Sequence, residues 1–245
     1  MYGQKIPKSQ KPHKSSTYIA YNPHTTSLLE RDWENKIRII SVDPGISNFC
    51  IRVEERGYNK YENIKTLLFV KMHLRKDEQE LTEDFVCGYY TVLTNFLNEH
   101  LELFKTCHIV LIEKQLPFNY RAVRISQHVL TYFMIHLKDI KPNLAMIFEI
   151  DSKLKGRELG ASTHLNAKGI KYWAVEKATE LLTDRGDVEA LEILKKNKRK
   201  ADDLADTVCQ IEAFFSLNDW PVTQKFITLN LPKVGSKILQ LKIIG

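Results

Sequence analysis

The chain has 245 residues, 43% of them hydrophobic, with 36 Lys and Arg against 30 Asp and Glu, a net charge of +6. That suits one generous α/β domain or two small ones with an ordinary core, and so modest a positive excess says little by itself about a polyanionic partner. No run of about 18 apolar residues occurs and the first thirty residues hold no apolar signal region, so neither a membrane span nor a secretory leader is expected.

Residues 1–36 read as a basic N-terminal extension, flexible or loosely packed. Lys5, Lys8, Lys11 and Lys14 stand there with little hydrophobic periodicity. The first strand is KIRIISVD (36–43), and Pro44-Gly45 turns it into a second, ISNFCIRVEER (46–56). IKTLLFVKMH (64–73) is the third. Three strands with short connections predict an antiparallel meander. Residues 78–103 turn helical, with Phe85, Tyr89, Leu93 and Phe96 on one side. CHIVLIE (107–113) is a fourth strand, and residues 121–138 form a long helix. NLAMIFEID (143–151) is a fifth strand, residues 155–163 a glycine-containing loop, and residues 170–182 and 184–195 two helices. The last core helix, 201–215, turns Leu204, Val208, Ile211 and Phe215 to one face. The tail, 217–245, reads as packed on the domain, with two short strands as one possibility.

This order predicts an α/β fold, a mixed five-stranded sheet with an antiparallel half, a parallel half and helices on both faces, spanning residues 37–216. An interrupted doubly wound fold is the alternative. The absence of GxGxxG and of early crossover helices argues against dinucleotide binding. Cys50, Cys87, Cys107 and Cys209 have no CxxC or zinc spacing and read as small buried hydrophobes of a reducing compartment.

Four acids stand out. Asp43 ends the apolar run of the first strand, Glu113 ends the fourth, and Asp203 and Asp206 lie three apart on the last helix. Each has a plain reading: Asp-Pro-Gly is good turn chemistry, Glu113 could open an exposed loop, and a helical acid is usually solvated. Together they are harder to dismiss. Asp43 and Glu113 fall at the same end of adjacent parallel strands, the edge where open α/β sheets bind ligands. Several carboxylates beside an apolar core call for a hard divalent cation with oxygen ligands. Asp202 leaves the register of the helical pair open, since Asp202/Asp206 at i,i+4 also shares a face.

VDPGISN, the Glu113 that closes strand four with Gln115 after it, and the late DxxD resemble, in that order, the RuvC-type Holliday junction resolvases of the RNase H-like superfamily. KKNKRKADDLAD resembles most closely the poxvirus-type branch and its fungal mitochondrial relatives. The resemblance implies an RNase H-like fold and assigns Asp43, Glu113, Asp203 and Asp206 as catalytic metal ligands. It implies two Mg²⁺ per site, with Mn²⁺ substituting, and makes Lys153, after strand five, the lysine beside the scissile phosphate. It further implies paired hydrolysis of four-way DNA junctions in recombination and repair by a homodimer with a seam on the 120–139 helix. The setting implied is the cytoplasm of an infected host cell for a viral protein, or mitochondria by analogy with the fungal branch.

Nucleic-acid contacts are expected from Gln115, Asn119, Arg121 and Arg124 after strand four, and from Lys153, Lys155 and Lys171. Lys195, Lys196, Lys198, Arg199 and Lys200 abut the helical acids and would add contacts to the phosphate backbone. Two other functions compete: a different RNase H-like nuclease acting on flaps, single strands or RNA–DNA hybrids, and a non-catalytic DNA-binding or packaging protein.

Overall fold

Alternating apolar residues build a sheet buried on both faces. The computed structural model describes residues 18–20, 36–57, 63–74, 86–137, 145–197 and 200–217. The strands are β1 (Tyr18–Ala20), β2 (Lys36–Asp43), β3 (Phe49–Gly57), β4 (Lys65–Met72), β5 (Ile109–Glu113) and β6 (Met146–Ile150). The helices are α1 (Val86–Glu99), α2 (Leu101–Phe104), α3 (Tyr120–Leu137), α4 (Leu154–Glu158), α5 (Ala167–Asp184), α6 (Val188–Lys196) and α7 (Ala201–Leu217).

The sheet order is β1-β6-β5-β2-β3-β4. β2, β3 and β4 form the antiparallel meander, and β5 and β6 continue parallel to β2. This is the mixed sheet expected from the sequence, an antiparallel half continued by parallel strands, with a sixth strand added. β1 comes from the N-terminal extension and pairs antiparallel with β6 through Tyr18↔Ile150 and Ala20↔Phe148. At the β2–β3 turn, a Cβ on Gly45 would stand 2.9 Å from the Asn48 carbonyl oxygen, so the reversal needs glycine there.

The period of two sorts side chains to the two faces. Ile40, Val42, Ile51, Val53, Val110, Ile112 and Ile147 pack against Leu93 and Leu97 of α1 and Ile125, Val129 and Phe133 of α3. On the other face Ile37, Ile39, Ile109, Leu111, Met146 and Phe148 meet Ile211, Phe214 and Phe215 of α7. Leu204 and Val208 of α7 turn away from them toward Ala174, Ala178 and Leu182 of α5 and Ala190 and Leu194 of α6. Sheet and outer helices thus enclose α7, which is why its sequence is apolar most of the way round.

The expected loop at 155–163 is partly helical. Its two glycines belong to a helix stop: Gly160 adopts φ +82 just past α4, and the Ala161 N–H donates to the Gly156 carbonyl at 2.8 Å. On α3, whose 120–139 stretch is the expected seam, Leu130 is buried, whereas Met134 and Ile135 are exposed. The expectations for residues 1–17, 78–85, Lys198, Arg199 and the tail from 218 lie outside the described residues. No described helix is long and apolar enough to cross a membrane. Cys50, Cys107 and Cys209 are buried free thiols, as expected.

Beneath α7, β3 carries charge where a core would carry hydrocarbon. Arg52, Glu54 and Arg56 are all fully buried. Glu54 receives Arg52 at 2.9 Å, Arg56 at 2.6 Å and Arg185 at 3.2 Å. Arg56 and Arg185 share Glu212 of α7 at 2.8 and 2.5 Å, and Arg52 reaches Asp187 at 3.3 Å. Three arginines balance three carboxylates, and Arg52 and Arg56 also lie over the Phe69 and Phe215 rings. Burial alone would raise the Glu54 carboxyl, yet Arg56, Arg52 and Arg185 hold it down at about 2.

Replacing one member of such a network leaves an uncompensated buried charge. Glu54→Gln is therefore expected to lose about 3 kcal/mol of stability at pH 7. Because the folded-state carboxyl ionises at about 2 rather than at its ordinary 4.5, this contribution is complete above the ordinary value. It is lost as pH falls from there through 2. Urea unfolding of both proteins from pH 7 to pH 2.5 should show the gap between them closing on acidification; a pH-independent gap would contradict the ion-pair account.

Candidate functional site

Three separated segments deliver the acids to one edge of the sheet. Parallel pairing of β2 and β5 sets Val42 opposite Ile112, which brings Asp43 and Glu113 together at the C-terminal ends of neighbouring strands. Both point to the α7 face, by alternation with Ser41 and Leu111. On α7, Asp203, Asp206 and Gln210 fall within about 60° of one another around the helix. Gln210 clamps the helix to the sheet: its side-chain oxygen accepts from Ser41 Oγ at 2.7 Å and its Nε2 donates to Glu113 Oε2 at 2.5 Å.

Lys155 of α4 is the cation of this cluster. Its Nζ donates to Glu113 Oε2 at 2.9 Å and lies 2.6 Å from Asp206 Oδ2, and the residue is only 7% exposed. Lys153, the lysine expected beside the scissile phosphate, lies two residues earlier. That residue caps α4, is exposed, and bonds Asp151 Oδ1 through its backbone N–H. The helical turn that replaces the expected loop anchors Leu154 in the core and directs Lys155 to the acids. Among the described residues, no group of three or more acid, histidine or cysteine side chains stands ready to hold a metal, and an ammonium lies where the acids converge.

The acids resist ionising together. Burial raises the Asp43 carboxyl well above its usual range, and repulsion from Glu113 and Asp206 raises it further, against the pull of Lys155. Asp206 is pushed up to about 7, by burial first; Lys155 opposes the shift and Glu113 adds to it. Asp203 is raised by burial and then by Asp202. Burial works against the Lys155 charge, but Glu113 and Asp206 outweigh it and hold the ammonium protonated. The donor set would suit a hard divalent cation: every candidate ligand is a carboxylate oxygen, and the buried Asp203 Oδ2 has no hydrogen-bond partner. Asp202 instead pairs with Lys171.

The remaining expected residues flank this edge. Gln115 folds back to the Glu113 carbonyl at 3.2 Å, and Asn119, Arg121 and Arg124 are exposed where α3 begins. Lys195, Lys196 and Lys200 are exposed, Lys195 standing 3.5 Å from Glu192. Lys200 adopts φ +65 ahead of α7, and its carbonyl accepts from Lys71 at 3.1 Å. Glu149, considered as a supporting acid, alternates onto the α3 face, away from the cluster. The sequence reading missed Ser41 and Gln210, although each sits at the right period from Asp43 and Asp206. It also missed Leu116, Phe118 and Tyr120, which are 56%, 82% and 58% exposed just beyond Glu113. Three apolar residues in the short stretch LPFNY were the available signal.

No family model matches the chain. Among curated proteins it is similar to uncharacterized protein 170L of Invertebrate iridescent virus 6, 26% identical over 173 residues, 62% of this chain and 70% of that one. Uncharacterized protein 97L of Invertebrate iridescent virus 3 is 30% identical over 118 residues, 48% of this chain and only 53% of the relative. Among solved structures it is similar to the yeast mitochondrial Holliday junction resolvase Ydc2, with TM-score 0.47, 18% identity and coverage of 74% of this chain and 79% of that one. Fowlpox virus resolvase in complex with Holliday junction DNA gives 0.47, 17%, 73% and 99%, and Thermus thermophilus RuvC gives 0.48, 15%, 74% and 96%.

Proposed function

We propose that this chain is a metal-dependent endodeoxyribonuclease that resolves four-way DNA junctions. The observation that carries the reading is the ammonium shared by Glu113 of β5 and Asp206 of α7 at the C-terminal edge of the parallel strands, with Asp43 and Asp203 near enough to repel them. Junctions as substrate, rather than another nucleic acid, follow from the resemblance carried by VDPGISN, the Glu113 segment and DxxD. A vestigial DNA-binding fold would have no need to keep four acids in so unfavourable a proximity.

Asp43, Glu113, Asp203 and Asp206 would hold Mg²⁺, two ions in all. Bound there, the ions would supply an activated water and neutralise charge at the leaving 3′ oxygen. The chain's own residues do the rest. Gln210 fixes the Glu113 carboxylate. Lys155 would offset negative charge growing on the phosphoryl oxygens, with Lys153 two residues earlier as the alternative. Arg121 and Arg124 offer guanidinium forks to the flanking phosphates, and the exposed Phe118 and Tyr120 rings offer stacking faces to bases unpaired at a branch. A two-fold-symmetric junction needs two incisions, which a C2 homodimer supplies; the exposed Met134 and Ile135 of α3 are candidates for its seam. The viral relatives fit action in an infected host cell.

Asp43→Asn or Glu113→Gln should keep junction binding in Ca²⁺ and lose cleavage in Mg²⁺ by about 10³-fold or more, since binding is spread over many cationic groups and hydrolysis is not. Labelled four-way junction, flap, RNA–DNA hybrid and linear duplex, cut side by side, test the substrate. Preference for flap or hybrid would move the reading to another RNase H-like nuclease. Full cleavage by either variant would remove the assignment of the acids.

The helical register gives a second outcome. Asp203→Asn should abolish cleavage, whereas Asp202→Asn, which loses only the pairing with Lys171, should stay within about tenfold of wild type. The reverse pattern would make Asp202 the ligand.

Neutralising Lys195, Lys196, Lys198, Arg199 and Lys200 together should weaken junction and duplex binding alike. The salt slope should fall by up to about 0.9 for each phosphate that no longer meets a cation, without redirecting the cut. A slope unchanged between about 50 and 200 mM salt would return the run to an ordinary solvated surface.

A further inference from the structure

One side chain occupies the ground that the proposed chemistry assigns to metal. Lys155 Nζ satisfies Glu113 Oε2 and Asp206 Oδ2 at 2.9 and 2.6 Å. It leaves Asp203 Oδ2 buried without a hydrogen-bond partner, so one cation serves a cluster built for more charge than it carries. The ammonium occupies Glu113 Oε2 and Asp206 Oδ2, the oxygens a metal ion would also need, so the two compete for them. The backbone need not move for the site to clear. Lys155 is rooted in α4, held by the buried Leu154, and its four-carbon stem can swing the ammonium several ångströms while the helix stays fixed.

We propose that Lys155 is a displaceable internal counter-ion. A divalent cation and the Lys155 ammonium compete for Glu113 and Asp206, and a phosphodiester draws the ammonium out, so that metal and nucleic-acid backbone load the site cooperatively. The inference rests on the nuclease reading above and adds a regulation to it. In the free protein the lysine neutralises the acids and keeps metal affinity low. When a phosphate enters, the ammonium gains a partner outside the cluster and the vacated carboxylates gain affinity for metal. Linkage makes the effect reciprocal: metal tightens backbone binding by the factor by which backbone tightens metal binding.

The test is Mn²⁺ affinity, read by electron paramagnetic resonance on the full chain, for wild type, Lys155→Met, Lys155→Gln and Lys155→Arg. Free Lys155→Met and Lys155→Gln should bind Mn²⁺ on the order of tenfold tighter than wild type, whereas Lys155→Arg, which keeps the charge, should bind no tighter. A melt in chelator and in Mn²⁺ shows whether each is folded, and Lys155→Gln and Lys155→Arg decide the matter if Lys155→Met is not. Repeating the titration with Ca²⁺ and saturating four-way junction, by calorimetry, should tighten wild type by a similar factor and the neutral variants by much less. Neutral variants that bind Mn²⁺ no tighter than wild type, or a gain in Lys155→Arg, would overturn the counter-ion. Failure of wild type to bind or cut junctions would sink the resolvase reading, while the Mn²⁺ comparison in the free protein would still decide the competition.

Discussion

Like charges held close in a poorly solvated place repel, and the rest of this molecule is arranged around that fact. Asp43, Glu113 and Asp206 meet at the sheet edge because β2 and β5 run parallel and α7 crosses above them. Such a cluster stays ionised only if a cation is supplied, and α4 supplies one in Lys155. The same repulsion that makes the cluster costly would make it receptive to a divalent cation under the proposed reading, so stability and that function would pull against each other at one spot.

Most of the fold was legible because its core obeys simple periods. The meander, the long third helix and the final helix each showed an apolar repeat that the structure keeps, and Asp43 and Glu113 could be placed at one edge because strand ends are visible as ends of apolar runs. Short-range chemistry was harder to read. Gly156 and Gly160 resemble a loop until the helix stop they form is seen, and a loop gives no reason to expect Lys155 on the acids. Gln210 looks like any polar residue in a helix, since nothing local to it reports the partners, Ser41 and Glu113, that lie 169 and 97 residues away. The N-terminal strand was illegible for another reason: three residues are too few to show a period of two.

The buried network on β3 marks the limit of pattern reading. IRVE alternates apolar and charged residues before Glu55 and Arg56, the partial signature of a strand with one wet face. Both faces are nonetheless covered, and the charged one is dry because α7 carries Glu212 and the turn between α5 and α6 carries Arg185 and Asp187. A sequence pattern reports that charges share a face. Whether water or an opposite charge meets them depends on helices more than a hundred residues away.

The two charged centres lie along one helix, and that placement joins stability to function. α7 presents Asp203 and Asp206 to the acid cluster near its start, Gln210 to the sheet in its middle, and Glu212 to Arg56 and Arg185 beyond. At the first position electrostatics push the helix from the sheet; at the last they pull it down, and Phe214 and Phe215 bury their rings beside the pull. A helix is stiff over so short a span, so a fixed far end resists displacement at the near one. Glu212 and its arginines thus work as the ballast that lets two helical acids be held against two strand acids. Neutral hydrocarbon in the same place could anchor α7 as firmly. It would also let the helix slide, whereas guanidinium forks and carboxylates fix its register, and carboxylates that must share a cation depend on register more than on mere proximity.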